Sequence, residues 1–442
     1  MPSLTPRDAF IEASVWHGSL EQAEAILASH PEVGSGDIHV AAILGDAVSV
    51  RRFLDLDGAD ATAKSGPLGW DALTHLCFSR FLRLDKTRSD GFVGAATALL
   101  DAGASANTGF FEMDHQPAPE WESALYGAAG VAHHAALTRL LIECGADPND
   151  EEVPYHAPET HDNDALKVLV ESGRLTADSL STMLLRKADW HDHDGLEYLL
   201  ERGADPNRMT RWGHTALHQA LRRDNDLKNI AVLLDHGADP ELEGRRDGLS
   251  AASIAARRGR GDVLALLEQH GVRVEWQGVE TLIAACARND AARLRAVADR
   301  EPLLVRDVLA QGGRLLAEFA GTANVEGVGH LLDLGVDVAE RYEGDGYFDI
   351  AEDSTALHVA AWKGWPRVVA LLIARGAPVN VPDGRGRTPL ALAVKACVDS
   401  YWTRRRSPAS VEALLRAGAS TSGVLFPSGY DEVDVLLRPH LT

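Results

Sequence analysis

Residues 199–218 read LLERGADPNRMTRWGHTALH, and each part of this stretch has a local physical meaning. Leu199 and Leu200 close an apolar helical pattern. Gly203 sits just past the helix end, where a left-handed residue satisfies the last carbonyls without a Cβ penalty. Asp205, Pro206 and Asn207 force a turn. Thr215 then opens a new helix as its N-cap, accepting from the first free amides. The phrase recurs along the chain at Gly58, Gly103, Gly145, Gly237, Gly271, Gly335, Gly376 and Gly418, with a weaker copy at Gly173. Successive copies lie 28 to 45 residues apart, with one gap of 64 that holds a degenerate unit around RLRAVADREP. Thr355 and Thr388 repeat the cap, and Pro389 follows the latter where its missing N–H costs nothing. A period near 33 with insertions is an internal repeat. Each helix pair lacks a core of its own, so neighbours must stack into one.

Composition agrees. In 442 residues, hydrophobic residues make up 45%, Gly numbers 40, and there are only 10 Phe and 7 Tyr, a palette of closely packed helices. The net charge is −22, from 65 acidic and 43 basic residues. Nucleic-acid binding needs clustered Lys and Arg, so this balance excludes it; the charge keeps a long surface soluble and favours basic partners. Cys77, Cys144, Cys286 and Cys397 lie far apart inside apolar patterns, which reads as buried free thiols in a reducing compartment. No signal peptide and no membrane-length apolar run is visible. The expectation is a cytoplasmic monomer.

The motifs GHTALHQA, DSTALHVAAWKG, GRTPLALAV and the GADPN phrases resemble the ankyrin repeat family, over roughly Asp8 to Gly418. The same period would suit tetratricopeptide repeats, but the GADPN hairpin and the Thr-capped helix decide against them. The resemblance implies an all-α fold, an α-solenoid of about twelve helix pairs with projecting β-hairpin or loop fingers, forming a curved elongated rod with a concave face. The expected organisation is a single solenoid over 1–442. It comprises an N-terminal cap unit at 1–34, repeats over 35–420 and a C-terminal cap at 421–442. Insertions fall near 82–92, 108–119, 340–353 and 400–408, and inserted segments in repeat proteins map to one face. The units around Tyr155, Leu180 and Arg314 lack a visible Thr cap and rest on spacing alone.

In that family the groove is faced by the residues before the capping Thr and by the ends of the first helices. By register the resemblance places Trp70, Arg211, Trp212 and His214 on fingers, with Trp121 and Glu122 finger-like. On the first helices it places Asp189, Trp190, Arg222, Arg223, Trp362 and Lys363. Five tryptophans at positions that need not be buried predict an aromatic- and acid-lined groove for a protein or peptide partner, one with basic residues. A second reading starts from the broken repeat VPYHAPETHDND, residues 153–164, where Pro158 interrupts a first helix. It gathers Tyr155, His156, Glu159, His161 and Asp162, and the neighbouring unit, residues 187–194, adds Asp189, Trp190, His191, Asp192, His193 and Asp194, followed by His214. Such a cluster would suit a sugar-like or polar small ligand. Were it an enzyme, a hydrolase or lyase, Glu159 or Asp189 would be the acid or base, with His156, His161, His191 and His214 as partners. The plain alternative is structural. The family places His at the turn between paired helices, as at His133, His134, His161 and His191, and in the first helix, as at His218 and His358. No metal-ligand spacing, phosphate loop or nucleophile motif is present, so neither cofactor nor metal is expected. Arg404, Arg405 and Arg406 read as a solvated loop, and the acidic GDGYFDIAED, residues 344–353, lacks calcium-loop spacing.

Overall fold

A computed structural model describes residues 4–400 and 402–441. Met1–Ser3, Tyr401 and Thr442, which belong to the expected end caps and the 400–408 insertion, lie outside the described residues. The chain divides into two compact units, Met1–Asp239 and Pro240–Thr442.

Among the described residues, the first unit stacks seven helix pairs. Its first helices form one row and its second helices the other, most of them packing on the equivalent helices of adjoining pairs. Three first helices matter below: α1 (Glu152–His156), α2 (Ala177–Asp189) and α3 (Ala216–Arg222). Ahead of them a hairpin of β1 (Gly109–Glu112) and β2 (Glu120–Ser123) forms a finger. The local devices are those the repeat phrase announces. Gly203 has φ of 90° after its helix, the left-handed conformation glycine adopts at no steric cost. Thr215 and His218 form a reciprocal capping box, and the buried His218 ring receives the Thr215 amide at 3.4 Å. The α2 unit, which showed no cap in the sequence, has one: Thr176 accepts from the Ser179 amide at 3.1 Å. Its cap was hidden because the connection from Gly173 is only two residues long.

The second unit stacks five pairs, and the helix Pro302–Leu309 occupies the long gap between repeats. Its first helices include α4 (Ala356–Trp362) and α5 (Pro389–Val398). Two short strands, β3 (Arg341–Tyr342) and β4 (Ser354–Thr355), pair antiparallel and bracket the acidic insertion. That insertion folds inward. Phe348 and Ile350 join Trp362, Trp402, Val359 and Leu392 in a buried cluster. Of the cysteines, Cys77, Cys286 and Cys397 are buried and free, whereas Cys144 is free but exposed. No described helix is long and apolar enough to cross a membrane.

Candidate functional site

In the second unit the expected groove residues are covered by the chain itself. Trp362 is only 4% exposed and Lys363 is buried. The Phe348 carbonyl accepts from Trp362 Nε1 at 2.6 Å, and Lys363 Nζ lies 3.8 Å from the centre of the Phe348 ring. Asp349 is held by Arg385 and by Arg387, the latter at 3.0 Å. The insertion therefore fills the face that Trp362 and Lys363 were expected to line. Trp70 is a second correction. It is 7% exposed, stacked on Phe110 at 4.0 Å and wedged against Phe78 and His75, so it buttresses the finger rather than lining a groove.

The first unit keeps its finger side open, and here sequence-distant charges meet. The broken repeat makes only one helical turn, α1, because Pro158 cannot continue it. Asp150 caps it by accepting from the Val153 amide at 2.8 Å. That turn brings Glu152 Oε2 within 3.0 Å of His156 Nε2, while Nδ1 of the same ring meets Glu159 Oε2 at 2.8 Å. Burial opposes the charged imidazole, but these two carboxylates outweigh it and raise its pKa to about 9. His156 is an imidazolium at neutral pH with both nitrogens engaged, the reverse of what a general base requires. Glu159 in turn pairs with Arg186 of α2, and burial is again outweighed, so its pKa falls. Arg186 also pairs with Asp189 on its own helix. Asp189 is 5% exposed and accepts from Gln219 at 2.5 Å and from Arg223 at 2.7 Å. One continuous row of charges thus runs from α1 through α2 to α3. Every candidate acid or base in it is already committed to a structural partner.

Above this row lies an aromatic and cationic strip. The Arg186 guanidinium is 4.0 Å from the centre of the Tyr155 ring. Trp212, on the finger of a later repeat, reaches back to Tyr155 at 5.5 Å and carries Arg211 over its own ring at 4.7 Å. Arg211 pairs with Glu151. Tyr155 and Trp212 remain half-buried and Arg211 exposed.

The remaining expected residues scatter. His191 occupies the left-handed position of the turn between paired helices, φ 53°, as do Trp16, His133 and Asp224 elsewhere in the unit; its place is fixed by the backbone. The exposed His161 and Trp190, 37% exposed, face one another at that turn side, 6.1 Å apart, away from the fingers. His214 is half-buried on its finger, its ring 6.2 Å from that of His218. Arg222 is half-buried at the end of α3. Trp121 packs on Phe111 across the hairpin at 4.9 Å. Glu122, on the opposite hairpin face, is 3% exposed. Sequence reasoning missed Glu152 and Arg186, for different reasons. Glu152 and His156 stand four apart, a readable helical pair, but Arg186 finds Glu159 across 27 residues and no local pattern announces that. Among the described residues no group of three or more His, Cys, Asp or Glu is arranged to hold a metal ion.

A family model of ankyrin repeats in three copies matches residues 184–278, and one of ankyrin repeats in many copies matches 346–393. Serine/threonine-protein kinase 12 of Arabidopsis thaliana is 42% identical over 83 residues, 19% of this chain and 16% of that protein. Putative ankyrin repeat protein FPV234 of fowlpox virus (strain NVSL) is 48% identical over 48 residues, 10% of this chain and 11% of that protein. The matches therefore span less than a fifth of either relative. The human ASB11 ankyrin repeat domain, known from a crystal structure, shares 21% identity over 53% of this chain and 97% of its own, with a TM-score of 0.24. Repeat phrase, paired helices, capping boxes and family matches agree: the chain is an ankyrin-repeat protein.

Proposed function

We propose that the chain is a non-enzymatic scaffold that holds a protein or peptide segment, of basic character, on the finger and first-helix face of its first unit. One observation carries this reading. Tyr155, Trp212 and Arg211 are held in fixed positions by ring and ion contacts, yet stay partly open to solvent. Side chains already ordered lose little entropy on binding, and aromatic and Arg anchors supply most interface affinity. The equivalent place in the second unit is filled by Phe348, which favours the first unit as the open one. The net charge of −22 favours a basic segment. The small-ligand and enzyme reading has less support, since Glu159, Asp189 and His156 are each bound to structural partners.

The test is an array of fifteen-residue peptides in basic, neutral and acidic sets, read for binding to the purified chain. The expected result is selective retention of basic peptides, weakened tenfold or more by the pair Tyr155→Ala and Trp212→Ala at unchanged helicity. Retention that ignores peptide charge, or that the pair leaves intact, would overturn the reading.

A further inference from the structure

The hairpin finger carries a buried acid, Glu122, whose Oε2 has no hydrogen-bond partner among the described residues. Across an antiparallel pair, opposed residues share a face and faces alternate along each strand. The register sets Phe110 opposite Glu122 and Glu112 opposite Glu120, so these four stand on one face. Phe111 and Trp121 take the other. The acidic face looks toward α1, where Glu152 adds a further carboxyl, and toward Tyr126, whose ring lies 5.1 Å from that of His156. Glu122 is 97% buried by its 3% exposure, and its Oε2 has no hydrogen-bond partner. A buried polar group without a partner is costly, and a group able to hydrogen-bond or pair with it would offset that cost. His156 pulls the other way, but its two nitrogens are spent on Glu152 and Glu159, and His115 at the hairpin turn approaches Glu120 at 3.5 Å. His17, at the rim, approaches Glu112 at 3.8 Å. Beside it Trp16 contacts Phe110 at 5.5 Å and Tyr126 at 6.0 Å, edge-on.

Carboxyls in excess, one of them buried and unanswered, beside an aromatic wall, are what a cation on an apolar stem would complete. We propose that Glu122 is the floor of a socket for one cationic side chain, a lysine or arginine, of the basic segment bound by the first unit. The inference rests on the scaffold reading above and sharpens it to one contact. Filling the socket also moves a proton. Burial first, then the carboxyls of Glu152, Glu112 and Glu120, against the pull of His156, keep empty Glu122 mostly protonated at neutral pH, near a pKa of about 8. An incoming ammonium or guanidinium favours the carboxylate, so binding at pH 7 releases close to one proton to the buffer.

The experiment is calorimetric titration of the full chain with a soluble basic peptide from the array. Arms replace each peptide lysine by acetyl-lysine and each arginine by citrulline, which separates ammonium from guanidinium occupancy. Titrations run in two buffers of different ionisation enthalpy. One peptide position is expected to lose tenfold or more in affinity when neutralised. Glu122→Gln is expected to cause a similar loss and to abolish the buffer dependence of the heat. If the peptide binds wild type and Glu122→Gln with the same Kd and the same proton release, the socket is wrong, while sensitivity to Trp212→Ala would leave the scaffold reading standing. If no basic peptide binds wild type, both fall. Because Glu122→Gln keeps shape and puts a neutral amide in place of a carboxyl that is mostly neutral at pH 7, loss of folding is not expected; Glu112→Gln at the rim is the second variant, expected to weaken binding less and to keep the proton release.

Discussion

Burial and the neighbouring carboxyls of Glu152 and Glu112 push the Glu122 pKa up to about 8, far above the ~4.3 of an unfolded glutamate. The folded state therefore holds a proton that the unfolded chain has released, and stability falls as pH rises between the two values. It is complete below the unfolded pKa and lost through the folded one. Glu122→Gln should have little effect on Tm at pH 4 and raise it increasingly up to a plateau above pH 8, by several degrees. Parallel Tm–pH curves for the two proteins would refute this. His156 acts with the same sign: raised to about 9 from ~6.5, its contribution is full below the unfolded value and lost as pH passes the folded one. His156→Gln should flatten that alkaline part of the curve. Arg186 is 13% exposed by side chain and serves Glu159, Asp189 and the Tyr155 ring together. Removing it takes one partner from each of two carboxylates, leaving Glu159 with His156 and the nearly buried Asp189 with Gln219 and Arg223. Arg186→Met should then cost about 1.5–3 kcal/mol in urea unfolding, and a cost below about 0.5 kcal/mol would show the row to be dispensable.

At the scale of elements, what the sequence made legible was whatever is set within a few residues. Thr215, the glycine after most second helices and the buried His218 and His358 could be read because caps and turns are local. For His358 burial lowers the pKa to about 4, a neutral ring suited to receiving the Thr355 amide at 3.1 Å. What could not be read depended on another element. The 340–353 insertion has no repeat period, so nothing in its sequence says that Phe348 turns in over Trp362 rather than outward. The Arg186 row likewise needs two repeats in register before it exists, and Thr176 was masked by a short connection. The inward turn makes a prediction. Phe348 is 5% exposed among Trp362, Trp402 and Lys363, and Phe348→Ala should cost about 3–5 kcal/mol. It should also open the two indoles to acrylamide quenching. Unchanged quenching would mean that the insertion covers them without Phe348.

At the scale of the whole chain the governing quantity is a charge of −22, which acts at long range and says nothing of fold. Such a field raises the encounter rate with a basic segment and is screened by salt, with a Debye length of about 10 Å at 0.1 M. Contacts made after docking, such as a cation against the buried Glu122, are screened far less. The two contributions therefore separate in kinetics. Raising the salt from about 0.05 to 0.5 M, across which the Debye length falls severalfold, should lower the association rate of a basic peptide tenfold or more. Its dissociation rate should change much less. Glu122→Gln should do the opposite, leaving the salt slope of association nearly intact because it alters one site of many, while raising the dissociation rate tenfold. Surface plasmon resonance across that salt range reads both rates. If the variant changed association and spared dissociation, Glu122 would be part of the general acidic field, and the docked contact would lie elsewhere on the Tyr155 and Trp212 strip.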